Sequence, residues 1–521
     1  MKTPGHGRGT FFAWIVALLF GLALRAAPIT AARPYIHYVD EGHVLRPVYS
    51  MIRDRTWDPR EFVYPQFPRL VIAAASRFTD GAVRLAGGPS LRDRMPARFD
   101  GYDQLEPFAF LLIARGLSVV VGMGIVVVTG LFARRLFGPV AGVAAALLAA
   151  FVPALALRGP IASVDSWATL ACLACLYATD ETRTSRRPAV AAFAAGYFAG
   201  VAFASKYPAL LVSVALAMTT LLLPISTREK IRRLFAGGRG AIVGILTAMP
   251  ALWRHWVEMP QVFRSHWEGY AHSIFERSLW HQALVRAESD LYYSGPELGI
   301  VFCLFAFTGL AIAVRRSSLV ATVTGWCAFA AVMCLLFARG EFRPFRNLMP
   351  LVPVACVTAG ISFAQLREWS RRPRLVDALG CLTLLVVFGA PMAAHAKRRF
   401  DLVDPRRAAV DWLAANARGG DSTLYLKELA ILEGEVARVP GRTIRVSADE
   451  AAARIRAELP RFVVAGVLMH PDRSLDAAAA WPELANYRPV LTAGDRPTVP
   501  FQFWWHGNDE IVIVFERRTP A

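Results

Sequence analysis

The chain has 521 residues, of which 55% are hydrophobic and 19% charged, and its formal net charge is +18. A soluble fold of this length does not carry so many apolar residues, so the composition predicts a membrane protein. A strongly basic chain is also typical of nucleic-acid binding, but here most of the positive charge lies in short segments between apolar runs. We therefore expect the lipid bilayer as a partner and no nucleic acid.

About eleven apolar runs are candidates to cross a bilayer, which takes roughly 20 residues as a helix. The first of them is predicted to remain as an anchor, because Arg25 and Pro28 do not form the small-residue pattern of a signal-peptide cleavage site. The predicted spans are 11–29, 106–132, 138–157, 161–178, 189–204, 207–223, 240–253, 297–314, 319–338, 348–365 and 375–393.

The distribution of Lys and Arg predicts the orientation. With a cytoplasmic N-terminus, the short cytoplasmic segments hold most of the excess of basic over acidic residues, which is the positive-inside asymmetry. The Ala- and Arg-rich composition favours a bacterial cytoplasmic (inner) membrane, with the C-terminal part of the chain in the periplasm.

Two long segments and the C-terminal tail then lie on the outer face. The first segment, 30–105, is dense in Arg, Asp, Pro and aromatic residues, which predicts short interfacial helices. The second, 254–296, is rich in Trp and His and is interpreted as an interfacial aromatic belt. Residues 1–393 are thus predicted to form a transmembrane domain. Residues 394–521 are predicted to form a small α/β domain, with helices at 406–417 and 448–459 and strands at 423–426, 461–469 and 510–516.

Two adjacent carboxylates, Asp40 and Glu41, follow the first span by about ten residues. A carboxylate can act as a general base toward a hydroxyl, whereas the alternative is a pair of solvated loop acids. His37 and His43 flank them, and all four residues are metal-ligand types. Their spacing matches no strong metal motif, so a divalent cation remains an open alternative and no cofactor is certain.

Further charged residues recur at the predicted outer level. Asp165 lies just inside the fourth span, where an ionised acid indicates function or pairs with Arg158. Lys206, Arg343 and Arg346 break the positive-inside pattern. They are candidates to bind a phosphate, the alternative being anchors that reach to the membrane surface.

Two more residues are candidates for a structural or a substrate-binding role. Arg115 lies about nine residues inside the second span, too deep for an ordinary anchor, and a buried pair with Glu106 or Asp165 is the favoured explanation. Tyr64 begins the sequence Tyr-Pro-Gln-Phe-Pro in the first outer segment. Together with the carboxylates and cations, these residues fit group transfer from a lipid phosphate.

The order of these short motifs resembles the GT-C superfamily of membrane glycosyltransferases, in particular the protein O-mannosyltransferase and aminoarabinose transferase branch. The resemblance extends to about residue 393. The outer C-terminal domain resembles that of bacterial members, since it lacks repeated carbohydrate-binding modules. The motifs are Tyr-Val-Asp-Glu-Gly-His at 38–43, Tyr-Pro at 64–65, Arg115, the residues 161–167 with Asp165, Ala-Ser-Lys-Tyr-Pro at 204–208, and Arg-Asn-Leu-Met-Pro-Leu-Val-Pro at 346–353.

The resemblance implies a polyprenyl-phosphate sugar as donor and an acceptor protein, glycolipid or glycan that approaches from outside. It implies that Asp40 is the general base and that Glu41 beside it shapes the site or helps to hold an ion. Asp40, Glu41 and Asp165 are thus the catalytic candidates. Lys206 and Arg346, with Arg343 as a further candidate, would receive the lipid phosphate. It also implies inversion at the anomeric carbon.

Two other functions stay open at this point. A transporter or flippase of a lipid-linked sugar also needs polar groups in the membrane, but such proteins often show internal repeats and broken helices near the midplane. A noncatalytic envelope assembly subunit would instead carry its function in the C-terminal domain.

Overall fold

The structure is a computed structural model, and its described residues fall into two units. The first unit comprises Met1–Ile29, Pro47–Arg92 and Leu112–Arg398, and the second comprises Thr30–Arg46, Asp93–Leu111 and Arg399–Ala521. The described residues are 6–31, 35, 39–62, 64–95, 108–262, 264, 299–336, 345–390, 392–394, 397, 403–429, 431, 433–467, 469–470, 473–474, 481–494 and 511–518.

The first unit is helical, although α2 and α4 begin in residues of the second. The helices in chain order are α1 His6–Ala26, α2 Val39–Arg53, α3 Phe67–Leu85, α4 Phe108–Phe137, α5 Pro139–Phe151, α6 Pro153–Ala156, α7 Val164–Thr184, α8 Pro188–Ser205, α9 Ser213–Leu222, α10 Thr227–Ala248, α11 Leu252–His255, α12 Ile300–Val314, α13 Val320–Leu336, α14 Val352–Trp369 and α15 Pro373–Thr383. Two 3₁₀ turns matter for the site, at Tyr207–Val212 and Phe345–Leu351.

Within the described residues, six helices are long and apolar enough to cross a membrane, and three shorter ones are apolar. The long ones are Phe11–Thr30, Phe108–Phe137, Pro188–Ser205, Ser317–Leu335, Arg346–Trp369 and Pro373–Ala394. The predicted polytopic α-helical architecture is therefore confirmed, while the number of eleven crossings stays a prediction. Short helices α2 and α3 occupy the segment in which interfacial helices were expected.

One predicted span differs from the structure at its start. Residues 240–248 of the predicted span 240–253 lie in α10, which begins at Thr227, and the last two residues of the span lie in α11. The first turns of α10 are charged, and Ser226 caps them because its hydroxyl accepts a hydrogen bond from the Glu229 backbone N–H at 3.3 Å. Glu229 also pairs with Arg233 one turn later at 2.8 Å. Hydropathy alone does not detect the charged first turns of α10, because it identifies only the apolar part of a helix.

Glycines let α10 lie directly against α8. A Cβ added at Gly240 would lie 2.0 Å from the carbonyl oxygen of Phe193, and one at Gly196 would lie 1.8 Å from that of Gly237. Small residues at such contacts allow backbones to approach closely where no water-driven force holds helices together. The contact between α8 and α10 matters for the site because α8 ends immediately before Lys206.

This contact predicts a pair of contrasting variants. Gly240→Ala is expected to lower the Tm of the purified protein by several degrees, since overpacking costs about 1–3 kcal/mol. Gly238 lies on the same helix with nothing within 4 Å of an added Cβ. Gly238→Ala should therefore leave Tm unchanged or raise it, because alanine is the better helix former. Equal Tm values for the two variants in detergent would contradict the close contact.

The second unit contains a five-stranded sheet of order β2-β1-β3-β7-β6. The strands are β1 Ser422–Leu426, β2 Arg442–Val446, β3 Phe462–Val467, β6 Tyr487–Ala493 and β7 Ile511–Arg517, with a short ladder of β4 Met469–His470 and β5 Arg473–Ser474. Strand β1 pairs in parallel with β2 and β3, and β7 pairs antiparallel with β3 and β6. Helices α16 Pro405–Asn416, α17 Glu433–Val436 and α18 Ala448–Glu458 complete the small α/β domain.

The predicted elements of this domain are present, but the two edge strands β2 and β6 were not predicted. Strand β2 reads Arg-Thr-Ile-Arg-Val, and β6 contains Pro489 and a register shift beside it. Edge strands tolerate charge and proline because one side of the strand forms no ladder, so their sequences carry a weak strand signal.

A buried ion pair fixes the start of α16. Asp404 caps the helix by accepting from the Arg406 backbone N–H at 2.9 Å, and the Arg406 guanidinium donates to both carboxylate oxygens at 2.9 Å. The same guanidinium stacks over the ring of Tyr35 at 4.2 Å. Tyr35 and Arg406 belong to one unit, so Tyr35 packs on the start of the C-terminal domain.

Candidate active site

Lys206 is the centre of the polar site in the first unit. Helix α8 ends at Ser205 and a 3₁₀ turn begins at Tyr207, so Lys206 is an extended residue between two helical segments (φ −154°, ψ 118°). Its Nζ donates to Asp165 Oδ1 at 2.6 Å and to Asn347 Oδ1 at 2.7 Å. The ammonium thus joins three chain segments that are far apart in the sequence.

Asp165 lies in the first turn of α7, where the helix dipole favours an anion. Its side chain is only 4% exposed, and that of Lys206 is 14% exposed. The guanidinium charges of Arg346 and Arg158 also act on Asp165. The structure therefore brings together four of the predicted site residues, with three cations around one carboxylate.

Asn347 was not assigned a role from the sequence. It follows Arg346 in a 3₁₀ turn that runs from Phe345 to Leu351, so the two side chains leave the backbone in different directions. Asn347 is 8% exposed, and its amide oxygen accepts from Lys206. A polar residue beside an arginine at the start of an apolar run was the only available signal.

Arg25 is a second residue that sequence reasoning left without a role. It is fully buried near the end of α1 and donates to the carbonyl oxygens of Gly21, Ala149 and Ala150 at 2.9–3.0 Å. A Cβ on Gly159 would lie 2.6 Å from the Arg25 side chain. Arg25 therefore packs against the turn that leads into Asp165.

The structural or substrate candidates are held by backbone contacts. Arg115 is 2% exposed and donates to the carbonyl oxygen of Ile29 at 3.0 Å. The carbonyl oxygen of Tyr64 accepts from buried Arg69 at 3.0 Å, and that of Glu61 accepts from the same nitrogen at 2.7 Å. Arg69 thereby fixes the loop that precedes α3. Glu106, the other predicted partner of Arg115, lies outside the described residues.

Asp40 and Glu41 lie in the first turn of α2 and not in a loop. Acidic residues at a helix start are stabilised by the dipole, which adds a structural reason for their presence. Glu41 is fully buried, whereas the side chain of Asp40 lies outside the described part. His37 and Arg343 also lie outside it, and His43 is half-buried. Among the described residues, no three His, Cys, Asp or Glu side chains are grouped to hold a metal ion.

Comparisons with known proteins bear on this fold and site. Residues 111–253 match the family model described as dolichyl-phosphate-mannose-protein mannosyltransferase. That segment includes Arg115, Arg158, Asp165 and Lys206. A search of the curated proteins finds no match.

Solved structures share the fold at low sequence identity. ArnT from Cupriavidus metallidurans bound to undecaprenyl phosphate is 15% identical with a TM-score of 0.54, and the match covers 98% of each chain. AglB, an oligosaccharyltransferase from Archaeoglobus fulgidus in complex with an inhibitory peptide and a dolichol-phosphate, is 12% identical with a TM-score of 0.51. That match covers 88% of this chain and 69% of AglB.

The comparisons together define the type of fold: the chain has the fold of ArnT and AglB. Its segment 111–253 is similar to the dolichyl-phosphate-mannose-protein mannosyltransferase family. The fold that the order of motifs implied is thereby confirmed, and the match of segment 111–253 agrees with the resemblance.

Proposed function

We propose that this glycosyltransferase moves a sugar from a polyprenyl-phosphate donor to an acceptor hydroxyl at the outer face of a bacterial cytoplasmic membrane. The observation that carries the proposal is the cluster of Lys206, Arg158 and Arg346 around Asp165, with Lys206 fixed at 2.6 Å and 2.7 Å by two oxygen acceptors. A preorganised cationic site of this kind suits a phosphate. The bound lipid phosphates of ArnT and AglB, which share the fold, support the same ligand class.

Lys206 and Arg346 would stabilise the charge that develops on the leaving phosphate. Such stabilisation is strongest when the donors are already in place and partly shielded from water, as Lys206 is. Arg343 is included in the phosphate site by the resemblance alone. Electrostatic stabilisation of the leaving group is therefore the main task of this cluster.

Asp40 is the proposed general base. The acceptor oxygen would attack the anomeric carbon and transfer its proton to the Asp40 carboxylate, while the bond from that carbon to the phosphate oxygen breaks. One new glycosidic bond forms, configuration inverts, and polyprenyl phosphate leaves. Glu41, which is fully buried one residue further along α2, would shape the site from within the protein.

Asp165 is proposed to act through Lys206 and not on the substrate. It is 4% exposed and already accepts a hydrogen bond from the Lys206 ammonium, so it is poorly placed to receive a proton from an acceptor. Its carboxylate fixes the direction of the Lys206 ammonium through the hydrogen bond at 2.6 Å. This assigns Asp165 a positioning role within the predicted catalytic set.

Residues 394–521 are proposed to lie on the periplasmic side and to restrict which acceptor reaches the site, whether protein, glycolipid or glycan. An odd number of spans with a cytoplasmic N-terminus would place this domain there.

The direct test presents the purified protein in lipid nanodiscs with labelled undecaprenyl-phosphate sugars and a crude envelope extract. We expect the label of at least one donor to move to an acceptor. Saturable binding of every donor without any transfer would contradict the proposal. Movement of intact labelled donor across proteoliposomes, again without transfer, would favour a flippase instead.

A further inference from the structure

His255 is the last residue of α11 and joins two segments that are distant in the sequence. Its Nε2 lies 2.7 Å from Asp58 Oδ2, and its Nδ1 lies 3.2 Å from Glu258 Oε1. An ionised carboxylate only accepts hydrogen bonds, so with Asp58 and Glu258 both ionised the two ring nitrogens donate. The geometry therefore fits an imidazolium between two carboxylates.

This imidazolium is linked to the lysine site by a ring contact with Phe62 and a hydrogen bond between Phe62 and Tyr207. The ring of His255 packs on the ring of Phe62 with 4.8 Å between centroids. The carbonyl oxygen of Phe62 accepts a hydrogen bond from the Tyr207 hydroxyl at 2.8 Å. Tyr207 directly follows Lys206 and starts the turn that sets the lysine backbone.

We propose that His255 is a positioning residue of the donor site: through Asp58, Phe62 and Tyr207 it holds Lys206 in the orientation that receives the lipid phosphate. We call the contact of His255 with Asp58 and Glu258 the His255 bridge. The proposal rests on the proposed function of Lys206, and it adds a group that makes donor binding depend on pH.

The two carboxylates of the His255 bridge are not equivalent. Asp58 is 13% exposed, whereas Glu258 is 62% exposed, so water screens the second contact far more. The other Asp58 oxygen accepts from the Arg60 backbone N–H at 2.9 Å, and the charge of Arg254 also acts on Asp58. Asp58 is therefore the partner that fixes His255.

The pH dependence of the His255 bridge follows from the pKa values of His255 and Asp58. The hydrogen bond to Asp58 raises the pKa of His255, partial burial works against this, and Glu258 adds to the rise. Burial opposes ionisation of Asp58, but the hydrogen bonds from His255 and the Arg60 backbone outweigh it and lower the pKa of Asp58. The stabilisation from His255 is thus fully present below its ordinary pKa of 6.5 and is lost as pH rises through the raised value.

The test measures binding of undecaprenyl phosphate to the full-length protein between pH 6 and pH 9. We expect the wild-type Kd to weaken about 5- to 20-fold over this range, as for coupled sites. The phosphate gains negative charge as pH rises through about 6, which by itself would strengthen binding. A loss of affinity at high pH therefore comes from titration of a group in the protein and not from titration of the phosphate.

His255→Gln should bind weakly at both pH values, with no loss on going to pH 9. Asp58→Asn is expected to behave in the same way, while Glu258→Gln, the matched carboxylate change at the exposed position, should keep most of the wild-type loss of affinity at high pH. Tm measured at each pH shows that the variants are folded. A wild-type profile in His255→Gln, or equal effects of the two carboxylate variants, would overturn the proposal.

A further variant tests the assignment of Lys206 to the phosphate separately from the role of His255. Lys206→Gln should weaken binding of undecaprenyl phosphate at pH 6. If it does not, the assignment of Lys206 to the phosphate is wrong. If it does, and His255→Gln still shows the wild-type pH profile, only the His255 bridge is refuted.

Discussion

Replacing Asp40 with asparagine is expected to lower the rate of sugar transfer by about 100- to 10,000-fold, the usual contribution of a general base. Asparagine keeps the size and the oxygen acceptor of Asp40 but cannot take up the acceptor proton at neutral pH. Because Asp40 is proposed to act on the acceptor in the transition state and not on the lipid phosphate, the Kd for undecaprenyl phosphate should stay within about twofold of the wild type. Single-turnover transfer and equilibrium binding on the same preparation measure both quantities.

Asp54→Asn provides the control for this experiment. Asp54 lies just after the same helix α2, pairs with Arg53 at 3.0 Å and is partly exposed. Its neutralisation should leave transfer unchanged. Removing an acid from the first turn of α2 costs only about 0.3–1 kcal/mol, so Asp40→Asn should remain folded. Full transfer by a folded Asp40→Asn protein would remove Asp40 from the mechanism.

Lys206→Gln is expected to reduce transfer by about 100- to 1,000-fold, the range seen when one preorganised donor to a developing negative charge is lost. Binding of the lipid phosphate should weaken as well, because Lys206 is proposed to contact it in both ground and transition states. The variant also leaves the 4% exposed carboxylate of Asp165 without its ammonium partner. Breaking a buried pair in this way costs about 3–5 kcal/mol, so stability must be measured alongside activity.

The double variant Lys206→Gln/Asp165→Asn separates the two effects. Removing both charges should restore most of the Tm lost in Lys206→Gln, since no unpaired buried carboxylate remains. Transfer should not recover. Recovery of transfer together with Tm would show that Lys206 acts only in stability. By contrast, Asp165→Asn alone should be milder than Lys206→Gln, because Asn347 still accepts from Lys206.

The active-site cluster depends on distances along the chain that no local pattern encodes. Asp165 and Asn347 lie 41 and 141 residues from Lys206, and Asp58 lies 197 residues from His255. Lys206 and Asp165 were identified because charged residues inside or beside apolar runs are unexpected. Asn347 and Asp58 gave no such signal, since a neutral amide and a loop acid are common in their settings.

The sequence by itself predicted the membrane class and the helical architecture, which the structure confirms, whereas the residues assigned to a phosphate and a base stay predictions. The membrane class and the helical architecture depend on composition and on local periodicity, which act over one helix at a time. The order of short motifs was sufficient for the type of fold. It was insufficient for the start of α10 and for strands β2 and β6, because their ends and edges are stabilised by caps and neighbours and not by hydropathy.

Only the tertiary structure decided the partners of each charged side chain. It paired Asp165, a catalytic candidate from the sequence, with Lys206, and it placed His255, a residue of the segment rich in Trp and His, against Asp58. The physical reason is that a buried charge needs a partner, and many partners are compatible with one sequence. Packing of α7, α8 and the turn at Phe345–Leu351 selects among them.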